Sequence, residues 1–230
     1  MNVACGPQTG VATAVTVGVP AYFSPVHDAD EWAKLADLPP GSVVVINPDS
    51  GPLHGMAGDY GTAVADLQDA GMRVYGYLTL AYGDRDFDVV APDVDMYLAE
   101  LGVDGVFLDQ ASSSLRDLGP ALLVSSTYRP RGLAVALNPG QPVVPALVFD
   151  RFDEVVTFEG VFEDYLAADL PGRPFEIGSE WHLVYGVPSH RASDVVALAE
   201  SRGAGFVFAA PGHLPHPWGR MNDPSAVETP

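Results

Sequence analysis

The sequence predicts an α/β fold, a single-domain (β/α)8 TIM barrel, and three observations lead there. From residue 15 onward, short apolar runs alternate with longer amphipathic segments through about eight cycles, the repeat of a parallel strand followed by its covering helix. Some of these runs are apolar without alternation, as strands covered on both faces require; residues 103–109 are the clearest case, and they end in a carboxylate. The chain has 230 residues and is 47% hydrophobic, enough for one large core with no need of a second domain.

The first strand is expected at 15–23, followed by a helix over 28–38 whose Trp32, Leu35 and Leu38 share a face and which Pro39-Pro40-Gly41 stops. Strand two, 43–47, leaves through Pro48-Asp49-Ser50-Gly51-Pro52, a loop dense in turn residues. A helix over 60–70 closes at Gly71, where a left-handed residue is needed. Strand three, 73–80, runs into Ala81-Tyr82-Gly83-Asp84-Arg85, and the third helix spans 93–101. Strand four, 103–109, precedes a long segment over 112–129. Strand five, 133–137, ends in Asn138-Pro139-Gly140, a turn that exposes the Asn138 amide. Strand six, 154–158, ends at Glu159 and leads to a short helix over 161–168, with a loop at 170–174. Strand seven is 181–187, its helix 192–201, and strand eight 205–210. Beyond Pro211 the chain is rich in Pro and reads as a loop that packs across the barrel or frays, with 1–14 and 219–230 as irregular ends.

A net charge of -19 with 11 Lys plus Arg argues against nucleic acid or an anionic membrane as the main partner, since both demand clustered positive charge. The lone cysteine, Cys5, excludes an intrachain disulfide framework and a cysteine-based zinc site. No apolar stretch approaches the ~20 residues of a spanning helix, so membrane insertion is not expected. Residues 1–6 carry no Lys or Arg and do not qualify as a signal peptide, which leaves the compartment open.

Asp109 and Glu159 are the residues that call for chemistry. Strands four and six are separated by one strand, and their exits open onto the same barrel face, where the ligand sites of such barrels lie. Two carboxylates there can divide acid and base roles, as glycoside hydrolysis requires; the alternative for Asp109 is capping the next helix. Tyr82 and Arg85 suit orientation of a polar ligand, or Arg85 forms a surface ion pair with Asp84 or Asp86. His182 either bonds substrate or is a satisfied core histidine. His213 and His216 are spaced for a metal but have no third ligand evident nearby, and no metal or cofactor is expected. There is no phosphate-binding glycine loop and no Gly-x-Ser-x-Gly elbow.

Taken together, Val19-Pro20-Ala21-Tyr22-Phe23, Val45-Ile46-Asn47-Pro48-Asp49-Ser50-Gly51-Pro52, Gly76-Tyr77 with Tyr82-Gly83-Asp84-Arg85, Val103-Asp104-Gly105-Val106-Phe107-Leu108-Asp109, Leu137-Asn138-Pro139-Gly140 and Val156-Thr157-Phe158-Glu159 resemble the spherulation-specific family 4 proteins. The resemblance runs from about Val17 to Trp218 and rests on the order and spacing of these motifs. It implies a (β/α)8 barrel, secretion or wall association, and endo-acting hydrolysis of N-acetylgalactosamine-containing polysaccharides such as galactosaminogalactan. Residue by residue, the family's strand-four acidic pair falls on Asp109 and Gln110 and its strand-six glutamate on Glu159; Asp109 and Glu159 are the expected catalytic pair, and Tyr22, Asn47, Asp49, Tyr82, Arg85, Gln110, Asn138 and His182 are expected on the substrate. Asp49, Asp109, Asn138 and Glu159 are expected to converge. One position departs from the pattern: relatives commonly carry Glu where this chain has Gln110, and an amide cannot exchange a proton as a carboxyl group does. By the period of two, Gln110 starts on the opposite side of the strand from Asp109 and is expected to bond a neighbouring loop or the sugar. The expected partner is an amino-sugar polysaccharide, whose ammonium groups an acidic groove would concentrate. The alternatives are a non-catalytic carbohydrate-binding barrel and an unrelated barrel enzyme acting on a non-sugar substrate.

Overall fold

A computed structural model describes residues 15–112, 114, 116–140, 149–170 and 180–222. Residues 1–14 with Cys5, residues 171–174 of the expected loop, and 223–230 of the expected irregular end lie outside the described residues. Eight parallel strands pair in chain order and close into a barrel, because the last pairs with the first. They are β1 (Thr16–Ala21), β2 (Val43–Ile46), β3 (Arg73–Thr79), β4 (Gly105–Asp109), β5 (Ala134–Leu137), β6 (Glu154–Val161), β7 (Glu180–Tyr185) and β8 (Phe206–Ala209). The covering helices are α1 (Ala29–Ala33), α2 (Ala57–Asp69), α3 (Phe87–Leu101), α4 (Gly119–Tyr128), α5 (Phe162–Ala167) and α6 (Ala192–Ser201). All four residues of β2 are buried, which is why this strand reads as one apolar run with no polar face.

Two helices start earlier than the sequence suggests. Helix α2 begins at Ala57, and α3 begins at Phe87 with Pro92 inside it. Pro92 looks like a helix start because it cannot donate to the carbonyl four residues back. That carbonyl belongs to Asp88, and both residues are exposed, so water can take the missing donor's place and the helix continues. The first helix is shorter than expected: after Ala33 it tightens into a 3-10 turn at Lys34–Asp37, which still buries Leu35 completely.

Alternation along each strand sends one side chain into the barrel and the next under the helices. Inside, the Trp181 ring lies 5.4 Å from Phe107 and 5.6 Å from Phe206. It fills the space of a side chain at position 18: a Cβ there would fall 2.4 Å from the indole, whose N–H donates to the Gly18 carbonyl at 3.1 Å. At the N-terminal end, Arg73 Nη1 donates to Glu154 Oε1 at 3.0 Å, and the Tyr75 hydroxyl reaches the same carboxylate at 3.2 Å. This polar plug and the aromatic layer above it fill the lower barrel and leave the C-terminal mouth for chemistry.

Candidate active site

Asp109 ends β4, Asn138 follows β5, and Glu159 stands near the end of β6, on three neighbouring strands. The Asn138 side chain joins the two acids. Its Nδ2 donates to Asp109 Oδ1 at 2.8 Å and to Glu159 Oε2 at 2.7 Å. Its Oδ1 accepts the Gly140 backbone N–H at 2.9 Å, which orients the amide nitrogen toward the carboxylates. The two bridged oxygens therefore lie no more than about 5.5 Å apart, within reach of a single reacting centre. From β3, the Tyr77 hydroxyl donates to Asp109 Oδ2 at 3.0 Å, and Tyr22 packs edge-on against the Tyr77 ring at 5.3 Å.

A bulge aims Glu159. The register of β6 against β7 pairs Val156 with Trp181 and Phe158 with His182, so Thr157 has no partner and is the extra residue. It shifts the alternation by one position. Phe158 consequently turns out of the barrel toward Tyr165, and Glu159 turns in.

Burial raises both carboxyl groups above their ordinary range. For Asp109 three donors oppose the rise: the Gln110 backbone N–H, the Tyr77 hydroxyl and the Asn138 amide. For Glu159 only the Asn138 amide opposes it, and the charge of Asp109 adds to it. Glu159 Oε1 accepts no hydrogen bond among the described residues, whereas both Asp109 oxygens do. Asp109 is thus the more heavily hydrogen-bonded of the two carboxyl groups. Burial first, then the nearby charges, keeps the Tyr22 and Tyr77 phenols neutral and able to donate.

The other expected site residues divide. Gln110 stands beside the pair with a left-handed backbone (φ 49°), and its side-chain oxygen accepts from Thr79 Oγ1 at 2.9 Å, outside the Asp109–Asn138–Glu159 group. Tyr82 is 61% exposed at the mouth, on a left-handed turn tied to Gln110 by its N–H. Arg85 pairs with Asp93 at 2.7 Å, not with Asp84 or Asp86, and also donates to the Thr79 carbonyl at 2.9 Å, so it braces the loop after β3. Asn47 folds back to accept the Gly51 N–H at 3.0 Å. Asp49 is exposed on the same loop and shares no hydrogen bond with Asp109, Asn138 or Glu159 among the described residues, so the expected convergence holds for those three alone as a bonded group. His182 lies behind the barrel wall: 1% exposed, with Nδ1 2.9 Å from the Tyr165 hydroxyl, it belongs to the layer between sheet and helices and does not join the pair. Burial and the charge of Arg202 push it down to about 4.

Two contributions were not legible in the sequence. Tyr77 lies inside an apolar strand and looks like any core aromatic. The segment after β8 packs across the mouth, with Trp218 buried against Tyr185 and Phe208, and its residues 214–219 line a pocket together with Tyr22 and Glu159. Packing across the barrel was one of the two alternatives the sequence offered for this segment, the other being a frayed end; that its residues line a pocket with Glu159 was not visible there.

Residues 16–223 match the profile of spherulation-specific family 4. Spherulin-4 of Physarum polycephalum is 33% identical over 126 residues, which cover 53% of this chain and 38% of that protein, so the alignment spans well under half of the relative. Among solved structures, a GH18 chitinase from Pseudoalteromonas aurantia superposes with a TM-score of 0.55 at 13% identity, covering 84% of this chain and 93% of the chitinase. The YdjI aldolase from Escherichia coli K12 gives 0.51 at 14% identity, covering 84% and 75%. Likeness at such identities is one of fold, and a hydrolase and an aldolase share it.

Proposed function

The chain belongs to spherulation-specific family 4, and on that premise we propose that it is an endo-acting glycoside hydrolase of N-acetylgalactosamine- or galactosamine-containing polysaccharide. The observation that carries this reading is the Asn138 amide donating to Asp109 and Glu159 together, which holds two carboxyl groups close at the barrel mouth. The upper limit of about 5.5 Å between the two bridged oxygens suits the retaining geometry of roughly 5–5.5 Å between carboxyl groups.

On this reading an Asp109 oxygen bonds the anomeric carbon as the glycosidic C–O bond breaks, and the proton on Glu159 passes to the leaving oxygen. Water then adds its oxygen to the anomeric carbon, gives its proton to Glu159 and releases Asp109, which restores both groups. The excess of 30 acidic over 11 basic residues suits a partly deacetylated polymer, whose ammonium groups it attracts.

A carbohydrate-binding barrel without catalysis is the second reading, favoured by the amide of Gln110. Against it, the Gln110 side chain is engaged with Thr79 and takes no place in the carboxylate pair. Incubation with galactosaminogalactan and related polymers, followed by mass analysis of released oligosaccharides, separates the two. Oligosaccharides from the wild type, absent with Asp109→Asn, support hydrolysis; binding without cleavage supports the second reading.

A further inference from the structure

The segment that follows β8 is fixed across the mouth. The Tyr22 N–H donates to the Trp218 carbonyl at 3.3 Å, the Gly186 N–H to Gly212 at 2.7 Å, and the Met221 N–H to Glu31 Oε2 at 2.8 Å. Further along, the Asn222 amide donates to the Ala209 carbonyl at 2.6 Å. The Trp218 ring anchors it, 5.7 Å from Tyr185 and 6.1 Å from Phe208. Between this segment and the barrel lies a pocket of about 300 Å³, lined by Tyr22, Glu159, Leu214, Pro215, His216 and Trp218 among others.

Two features of this pocket point to a ligand. Its wall is largely apolar, and Leu214 is 68% exposed there, with Pro215 and Pro217 also in the lining. A sugar ring has an apolar C–H face that such a wall can cover, and the volume, at the low end of ligand pockets (~300–1,000 Å³), suits one ring better than several. The pocket also contains Glu159 and is not lined by Asp109, although Asn138 bridges the two. In two-carboxylate hydrolysis the acid stands beside the leaving oxygen and the anion on the opposite face of the anomeric carbon. A pocket that holds the acid and omits the anion therefore lies on the leaving-group side.

We propose that this pocket is the subsite for the amino-sugar ring that departs with the leaving oxygen, with Leu214, Pro215 and Trp218 against its apolar face and His216 available to its hydroxyl or acetamido group. The assignment rests on the hydrolase reading and adds to it a specificity-determining wall that comes from a segment outside the eight strands.

The test compares two substrates. Galactosaminogalactan fills both sides of the cleaved bond, whereas a glycosyl fluoride of an N-acetylgalactosamine oligosaccharide has no leaving ring. Leu214→Ser and His216→Ala alter exposed side chains, and thermal melts verify that the fold is kept. The expected result is a fall of tenfold or more in kcat/KM on the polymer for Leu214→Ser and a smaller fall for His216→Ala, with hydrolysis of the fluoride unchanged in both. Equal losses on the two substrates, or no loss on either, overturn the assignment while an active wild type leaves the hydrolase reading standing. A wild type inactive on both substrates overturns the hydrolase reading and the subsite with it.

Discussion

Glu154 and Glu159 stand on the same strand at positions of opposite parity, yet both turn into the barrel. A regular strand forbids this, because an odd spacing sends the second side chain to the other face. The unpaired Thr157 between them restores the inward direction. One strand thereby supplies a carboxylate to each end of the barrel: Glu154 to the plug with Arg73 and Tyr75, and Glu159 to the mouth with Asn138.

These positions separate stability from activity. Glu154→Gln keeps the shape but removes the charge facing Arg73, whose side chain is 37% exposed and can turn toward water. Burial holds the Glu154 carboxyl group above its ordinary range despite Arg73 and Tyr75, so losing the charge offsets part of the lost hydrogen bonds; the expected net cost at neutral pH is at most about 1 kcal/mol, read as a small drop in thermal midpoint, with polymer cleavage little changed. A variant with unaltered stability and lost cleavage would contradict the structural role of Glu154.

Asp109→Asn and Glu159→Gln should spare stability and abolish cleavage. Both carboxyl groups are raised in the folded state, so the folded protein binds protons that the unfolded chain releases. Their contribution to stability is therefore present below the ordinary carboxyl range and is lost as pH rises through the folded values. At neutral pH, removing either charge should leave the thermal midpoint equal to or above that of the wild type, and the difference should vanish in acid. Cleavage of polymer should fall by 10³ or more, as order of magnitude, for the loss of a nucleophile or acid. Melts of both variants across pH test the sign, and a destabilised variant at neutral pH contradicts it.

Much of this was legible in the sequence for a simple reason. Asp109, Asn138 and Glu159 each follow an apolar run, and a polar residue at the exit of a buried parallel strand has few structural reasons to be there. Side-chain direction was less legible. His182 lies between Trp181 and Leu183, and because both faces of the strand are apolar, the sequence carries no mark of which face points inward. The bulge at Thr157 depends on pairing with β7 and has no local signature. Asp49 and Arg85 sit in loops whose internal bonds, to Gly51 from the Asp49 backbone and to Asp93 from the Arg85 side chain, decide their direction.

His182 gives a second pH dependence with the reverse sign. Buried against Tyr165, it is held down to about 4, so the unfolded chain takes up a proton that the folded protein refuses. Stability should decline as pH falls from about 6.5 toward 4, by a total on the order of 3 kcal/mol. His182→Phe fits the aromatic layer of Phe158 and Tyr165 but leaves the Tyr165 hydroxyl without its imidazole partner, so the variant should start lower at neutral pH. Its slope between those pH values should nevertheless be flatter. Denaturant melts at several pH values read that slope directly, and an unchanged slope assigns the acid sensitivity elsewhere.

Gln110 decides between an enzyme and a binding module. Its left-handed backbone turns the chain away from the strand direction, its N–H supports the Asp109 carboxylate, and its carbonyl accepts the Tyr82 N–H at 2.6 Å. The side chain meets Thr79 Oγ1, a donor that serves a carboxylate as readily as an amide. Gln110→Glu should therefore keep the geometry and add one exposed negative charge next to Asp109. Such a charge disfavours ionisation of Asp109, so the acid limb of the rate profile should move to higher pH, while kcat at the optimum changes by less than about threefold because the charge is solvent-screened. Added salt should shrink the shift, since the added charge is exposed and salt screens it. The contrary result is equally definite: if the wild type binds polymer without cutting it and Gln110→Glu cuts it, the essential proton carrier belongs at position 110, and the natural protein is a carbohydrate-binding barrel.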